Sequence, residues 1–264
     1  MIKLLAMDLD GTLMESGTEV SPRNRAALAA ARNKGVAVTI CTGRMFRSAQ
    51  QVAAKLDLDI PIITYNGAYI KMAVRQQVLL DMGLDKIIAR DIVARAQSQD
   101  LQPLVFIDDK VMAAYINMKA ADYGLSAGVP VRGVVDLPAH ISSDVNKILL
   151  IGDPAVLKDF WRESECLYRD KVHIVQSKSH YLDFINPEAN KGRALSFLAE
   201  GLDIAKEQIM AIGDSYNDIG LFQAAGLRIA MGNAVEELKR QADYITADCK
   251  DDGLALAVEK FVLE

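Results

Sequence analysis

Four short segments of this 264-residue chain carry side chains that could do chemistry together. Asp8-Leu9-Asp10-Gly11-Thr12 places two carboxylates around Leu9, and Gly11 lets the backbone bend close to a ligand. Gly213-Asp214-Ser215-Tyr216-Asn217-Asp218 supplies two more carboxylates where a helix should begin. Thr42-Gly43-Arg44 offers a hydroxyl, a backbone N–H and a helix start, features suited to a phosphate. Asn190-Lys191-Gly192 puts a cation in a helical first turn, where it opposes the macrodipole unless an anion compensates it. Taken singly, each has an ordinary structural account as a turn, a helix cap or a solvated lysine. Taken together, they suit phosphoryl chemistry. A carboxylate approaching a phosphate dianion meets repulsion of about 4 kcal/mol per pair of unit charges at 4 Å and an effective dielectric of 20. A cation must intervene. Asp8, Asp214 and Asp218, with a backbone carbonyl near Asp10, are expected to hold Mg2+, and Lys191 to supply a second compensating charge. A calcium EF-hand starting at Asp8 is excluded, because its sixth position, which requires glycine, is Leu13.

The elements that must position these residues are legible in the apolar pattern. Ile2 to Met7 is a short continuous apolar run ending at Asp8, as in a buried parallel strand. Ser21-Pro22 opens a helix that Gly35 stops, and a strand follows over Val36 to Cys41. Thr42-Gly43-Arg44 leads into a helix expected to run to about Leu56, and a strand begins at Pro61-Ile62-Ile63-Thr64. From about Gly83 the rhythm changes to a helix over Asp85 to Gln99 and strands near Leu104–Ile107 and Val111–Tyr115. A Gly- and Pro-bearing stretch covers Gly124 to Pro138, and a strand runs over Lys147–Ile151. A helix containing Trp161 and paired strands near Val172–Gln176 and Tyr181–Ile185 complete that middle part. After Pro187 the alternation of helix and strand resumes to the end. The expected fold is therefore α/β, a doubly wound, mostly parallel Rossmann-like core sheet interrupted by an inserted α+β domain. The core should comprise residues 1–82 and 184–264 and the insertion residues 83–183. The groove between them is the natural ligand site, at strand C-terminal ends.

Composition narrows the partners. Hydrophobic residues make up 51% and charged residues 25%, which excludes bulk disorder. A net charge of -5 without a basic run argues against nucleic acid. No apolar stretch approaches the roughly 20 residues a membrane span requires, and the first residues lack a secretory pattern, so the cytoplasm is the expected location. Cys41, Cys166 and Cys249 are too scattered for a zinc site or a disulfide framework and should be reduced. His140, His173 and His180 form no metal-ligating pair. Asp108-Asp109 is read as a hairpin turn and Ile151-Gly152-Asp153 as a turn. Phe160, Trp161 and Tyr168 should pack on the inserted sheet, and Arg132 and Lys178 should be solvated. Met45, Phe46 and Arg47 should begin a core helix beside the groove.

With these residues in view, the chain resembles the haloacid dehalogenase-like hydrolases, specifically the Cof-type phosphatases with a large α/β cap. The four motifs appear in order as Asp8–Thr12, Thr42, Lys191 and Gly213–Asp218, and the likeness spans essentially the whole chain. Accessory segments also match: Asn66-Gly67-Ala68, Ala230-Met231-Gly232-Asn233-Ala234, and Ala242-Asp243 through Asp252-Gly253. The resemblance implies that Asp8 is the nucleophile, forming an aspartyl-phosphate, and that Asp10 is general acid and then general base. It implies that Thr42 and Gly43 hold phosphate oxygens beside Gly11, Thr12 and Asn217, and that Lys191 neutralises Asp8 and the phosphate. Asp8, Asp10, Asp214 and Asp218 would form the Mg2+ site, and Arg44 and Asn66 would face the substrate. That substrate would be a small phosphorylated metabolite such as a sugar phosphate, handled by a monomer or small homo-oligomer. One departure stands out, since relatives often carry Glu in the strand re-entering the core where this chain has Asp183. Two other functions share part of this inventory: phosphoryl transfer between hydroxyls, as in phosphosugar mutases, and non-catalytic metabolite binding on the same scaffold.

Overall fold

The computed structural model describes residues 1–264 apart from 16, 18 and 58, and the backbone alone of residue 177. The chain divides into two compact units, Met1–Leu80 with Asn190–Glu264, and Asp81–Ala189. Its first part runs β1 (Leu4–Met7), α1 (Pro22–Asn33), β2 (Ala37–Cys41), α2 (Phe46–Lys55), β3 (Pro61–Thr64), β4 (Tyr69–Met72) and β5 (Val78–Asp81). The middle part runs α3 (Lys86–Ser98), β6 (Gln102–Ile107), β7 (Lys110–Ala113), α4 (Met118–Ala127), β8 (Val131–Gly133), α5 (Leu137–His140), β9 (Lys147–Ile151), α6 (Pro154–Leu167), β10 (His173–Lys178) and β11 (Tyr181–Ile185). The last part runs α7 (Lys191–Gly201), β12 (Ile209–Gly213), α8 (Ile219–Ala224), β13 (Leu227–Ala230), α9 (Glu236–Gln241), β14 (Tyr244–Ile245) and α10 (Gly253–Val258).

One eight-stranded sheet organises the first unit in the order β14-β13-β12-β1-β2-β3-β4-β5. The pairs from β14 through β3 are parallel, and β4 turns back antiparallel on β3. All four residues of β1 are fully buried, which is why that strand reads as a continuous apolar run. Successive strands proceed outward from β1 through β2 and β3 on one side and from β12 through β13 on the other. The order therefore reverses between β1 and β12, the place where an open α/β sheet leaves a crevice at strand C-terminal ends. Asp8 follows β1 and Asp214 follows β12, so the sheet sets two of the four motifs side by side.

The second unit is a six-stranded sheet, β10-β11-β9-β6-β7-β8, antiparallel except for the β7/β8 pair. Residues of α3 and α6 cover one face in an apolar cluster that includes Ile92, Val105, Ile148, Leu157, Phe160 and Phe184, with Trp161 packed against it and Tyr168 within it. The second boundary lies at 189/190, beyond the expected 183/184, because β11 stays paired with β9 as far as Phe184. Asp183 accordingly belongs to the inserted sheet and not to a strand re-entering the core. It is buried there in an ion pair with Lys147, at 2.9 Å.

Several local features refine the expectations. The second core helix begins at Phe46 with Met45 as its N-cap, as expected of Met45, Phe46 and Arg47, and Thr42-Gly43-Arg44 is the loop that leads into it. Within the Gly- and Pro-bearing stretch Gly124 to Pro138, α4 continues to Ala127 and β8 and α5 follow; α4 is capped by the Asn117 side chain and ended by left-handed Gly128. β4 and β5 extend the core sheet beyond the expected strands. Asp153 caps α6 by accepting from Ala155 N at 2.8 Å, a more specific role than the expected turn. Asp108 and Asp109 both have positive φ (51° and 57°) in the β6–β7 hairpin, as a tight turn requires. The cysteines are free, and no helix among the described residues is long and apolar enough to cross a membrane.

Candidate active site

Asp8, Asp214 and Asp218 converge so that one ligand oxygen from each lies within 4.8 Å of the others. Each side chain arrives for an identifiable reason. Asp8 is held at the end of β1, where its backbone N–H donates to Ile212 O of β12 at 3.1 Å. Asp218 accepts from the backbone N–H groups of Asp214 and Ser215 through Oδ2, both at 3.0 Å, which folds the loop after β12 into a tight turn. Asp214 accepts through Oδ1 from Thr12 Oγ1 at 2.7 Å, tying that loop to the one after β1.

Lys191 joins the two loops electrostatically. Its Nζ lies 2.8 Å from Asp8 Oδ1 and 2.7 Å from Asp218 Oδ1, and its side chain is fully buried. This resolves the unfavourable placement of a cation in the first turn of α7, since two carboxylates meet it there. Burial alone would lower the lysine pKa, but Asp218 and Asp8 hold it above its ordinary value. Burial pushes the Asp8 carboxyl up to about 8, with Lys191 opposing the rise and Asp218 and Asp214 adding to it. Burial and the neighbouring Asp218 push Asp214 up to about 6. Three acidic groups and one cation thus leave an excess of negative charge at the ends of β1 and β12.

The second wall comes from β2 and β3. Thr42 is buried, its backbone N–H donates to Ile63 O at 2.8 Å, and its Oγ1 accepts from Arg44 N at 3.1 Å. Asn66 sits on a turn in left-handed conformation (φ 56°) and donates from its backbone to Thr42 O at 3.1 Å. Its Oδ1 accepts from Asn217 Nδ2 at 3.1 Å, so one asparagine spans the second and fourth motifs. Gly67 packs so closely on Asn190 that a Cβ would fall 2.3 Å from Asn190 O, which joins the same turn to the helix bearing Lys191. A Cβ on Gly43 would come within 3.0 Å of Asn66 Oδ1, keeping that backbone close to the asparagine.

Asp10 stands apart from the cluster. Its carboxylate is half exposed and held in a bidentate pair by Arg44, with Nε to Oδ2 at 2.7 Å and Nη2 to Oδ1 at 2.5 Å. Arg44 Nη1 also donates to Gly17 O at 2.8 Å. Sequence reasoning did not foresee this pair, nor the role of Asn233. Asn233 donates to Gly11 O and accepts from Cys249 N, each at 2.8 Å, bracing the Asp10-Gly11-Thr12 loop from the opposite end of the chain. The signals for Asn233 are its place after the apolar strand Leu227–Ala230 and within the accessory segment Ala230-Met231-Gly232-Asn233-Ala234, neither of which points to Gly11 or Cys249. Buried Asn24 similarly links Leu13 O to Ala255 N. No histidine or cysteine belongs to a metal-holding group among the described residues.

The donor set consists of hard oxygens, and two carboxylate oxygens, Asp8 Oδ2 and Asp214 Oδ2, have no hydrogen-bond partner among the described residues. Gly11 preserves the space beside them, since its φ is +84° and a Cβ there would lie 2.5 Å from Asp214 Oδ2. The residues present therefore fit a small divalent cation of the oxygen-preferring class. Gly11→Ala should displace the Asp214 carboxylate, lower turnover at least about tenfold and destabilise the fold by about 1–2 kcal/mol from the left-handed backbone. Unaltered steady-state rates would show that this cradle is not needed.

A profile of the haloacid dehalogenase-like hydrolases matches residues 5–258. The 5-amino-6-(5-phospho-D-ribitylamino)uracil phosphatase YwtE of Bacillus subtilis is 31% identical over 291 aligned positions, covering 99% of this chain and 98% of that protein. A second 5-amino-6-(5-phospho-D-ribitylamino)uracil phosphatase of B. subtilis, YcsE, is 31% identical, with the alignment covering 99% of this chain and 96% of that protein. The crystal structure of a haloacid dehalogenase-like hydrolase from Bacteroides thetaiotaomicron superposes with a TM-score of 0.93 at 28% identity, over 98% of this chain and 99% of that one. The chain belongs to the haloacid dehalogenase-like hydrolase family, and within it is a phosphomonoester hydrolase.

Proposed function

We propose that the protein is a Mg2+-dependent phosphatase that hydrolyses a small phosphorylated metabolite through an aspartyl-phosphate on Asp8. The observation that carries this reading is the buried Lys191 Nζ, 2.8 Å from Asp8 Oδ1, which offsets the repulsion between a carboxylate and a phosphate dianion. Asp8 would attack phosphorus as the ester P–O bond breaks, and Asp10 would give its proton to the leaving oxygen. Asp10 would then take a proton from water attacking the same phosphorus, releasing inorganic phosphate and restoring Asp8. Thr42 and the Gly43 N–H would hold phosphate oxygens, with Gly11, Thr12 and Asn217 around them and Arg44 and Asn66 toward the rest of the substrate. Asp8, Asp214 and the Asp10 backbone carbonyl would hold Mg2+, with Asp218 keeping Asp214 and Lys191 in place. The bound ion would add positive charge against the phosphate as it is transferred. Two relatives act on a phosphorylated ribityl compound, which favours a phosphate on a sugar or sugar alcohol. Free cysteines suit a reducing compartment, and we place the protein in the cytoplasm.

The test is a panel of sugar phosphates, polyol phosphates and nitrophenyl phosphate, assayed with Mg2+ and with chelator. Metal-dependent phosphate release is expected. Isomerisation of a hexose phosphate without release would instead identify a mutase, and no turnover across the panel would favour a binding protein.

The raised carboxyls give a second expected result. Above about pH 4 the metal-free folded protein keeps protons that the unfolded chain, with carboxyl pKa values near 4, has released, on Asp214 up to about pH 6 and on Asp8 up to about pH 8. Stability of the metal-free protein should therefore fall as pH rises through this range, the reverse of a salt-bridged carboxylate. Mg2+ should raise the melting temperature more at pH 8 than at pH 5. Calorimetry in chelator and in Mg2+ checks both, and a metal-induced shift equal at the two pH values would contradict them.

A further inference from the structure

The inserted unit contains a concavity of 370 Å³ that no residue of the acidic cluster lines. Its rim carries Lys110, Arg132, His140, Ser142 and Ser143 against a single carboxylate, Asp108. Its floor is Ile107, Met112 and Val134. Strand alternation explains the convergence, because Lys110 and Met112 lie on one face of β7, Arg132 is the register partner of Met112, and Ile107 is that of Lys110. His140 ends α5 and the two serines follow it.

The charge balance of this rim is unusual in a chain of net charge -5. Lys110, Arg132 and His140 have no acidic partner within ion-pair distance among the described residues. Two nearby acids serve elsewhere, since Asp136 accepts from Ala139 N at 2.9 Å to cap α5 and Asp144 accepts from Lys86 N at 3.0 Å at the start of α3, while Asp108, Asp109 and Asp144 lie close enough to Asp81 to repel it. Basic groups converging on a concave surface raise the local concentration of anions. Ile107 and Met112 are nearly buried yet line the floor, so an occupant covers apolar surface as well as charge. The volume falls within the range of about 300–1,000 Å³ common for small-molecule pockets.

We propose that this concavity is a second binding site, for a small organic anion. Its phosphate or carboxylate head meets Lys110, Arg132 and His140, with Ser142 and Ser143 as hydroxyl donors, and its apolar body lies over Ile107, Met112 and Val134. The site lies wholly within residues 81–189 and does not depend on the chemistry proposed for Asp8.

The experiment is a titration of the full-length chain, labelled at methionine methyl groups, with phenylphosphonate, benzoate and phenol, followed by NMR at Met112. Saturable movement of the Met112 methyl is expected with an anion and not with phenol, and the tighter of the two anions identifies the preferred head group. The Lys110→Ala/Arg132→Ala variant should bind at least tenfold more weakly while the remaining methionine signals, as a folding control, stay in place. The proposal is overturned if neither anion moves Met112 at about 10 mM, if phenol moves it equally, or if the double variant binds as the wild type does. Occupancy of the core site alone would leave the Met112 signal unchanged.

Discussion

An Asp8→Asn protein is expected to fold as the parent does and to release phosphate at least about a thousandfold more slowly. The substitution preserves shape and removes the one carboxylate whose Oδ1 lies beside Lys191 while its Oδ2 has no hydrogen-bond partner among the described residues. Lys191 keeps Asp218 at 2.7 Å, so no buried cation is stranded. Asp8 is buried enough for its carboxyl to sit near 8, and a neutral isostere relieves its repulsion with Asp214 and Asp218. The melting temperature should therefore be unchanged or higher in chelator at pH 8. Turnover close to that of the parent would place the nucleophile elsewhere.

Lys191→Met should act mainly through stability. It leaves Asp8 and Asp218 facing each other in a site where the lysine side chain was fully buried. Removing one partner of a buried pair costs about 3–5 kcal/mol, or a fall of about 10 °C in melting temperature for a domain of this size. Adding Asp218→Asn should recover part of that loss, because the second carboxylate no longer needs a counter-charge. A double-mutant cycle on the melting temperature measures this coupling. Additive losses would mean that Lys191 and Asp218 stabilise the protein independently, contrary to the 2.7 Å contact. Activity should be lost in both variants, since neither restores a cation beside Asp8.

What the sequence reveals of this site follows interaction range. The burial of β1 is written in the continuous apolar run ending at Asp8, and α1 is written in Ser21-Pro22, whose serine does cap the helix. Lys191 stands out because a cation in a helical first turn is costly without an anion, and that local conflict pointed to partners far along the chain. The start of α2 is legible at Met45, Phe46 and Arg47, whereas the hold that β3 and the Asn66 turn keep on the preceding Thr42-Gly43-Arg44 loop is not. No element is legible in the Gly- and Pro-bearing stretch from Gly124, yet α4 runs through Gly124 and Gly128 is the left-handed residue that ends it. The Arg44–Asp10 pair joins positions 34 apart, and the Asn233–Gly11 bond joins positions 222 apart. No periodicity encodes such contacts; only the assembled sheet brings them together.

The inserted unit leaves and returns at nearly one point, where Asn186 Nδ2 donates to Gly83 O at 2.8 Å. An excursion whose two ends meet adds little loop-closure entropy to its host, however long it becomes. The inserted unit can thus be exchanged or enlarged at that doorway while Asp8 at the end of β1 and Lys191 at the start of α7 keep their places.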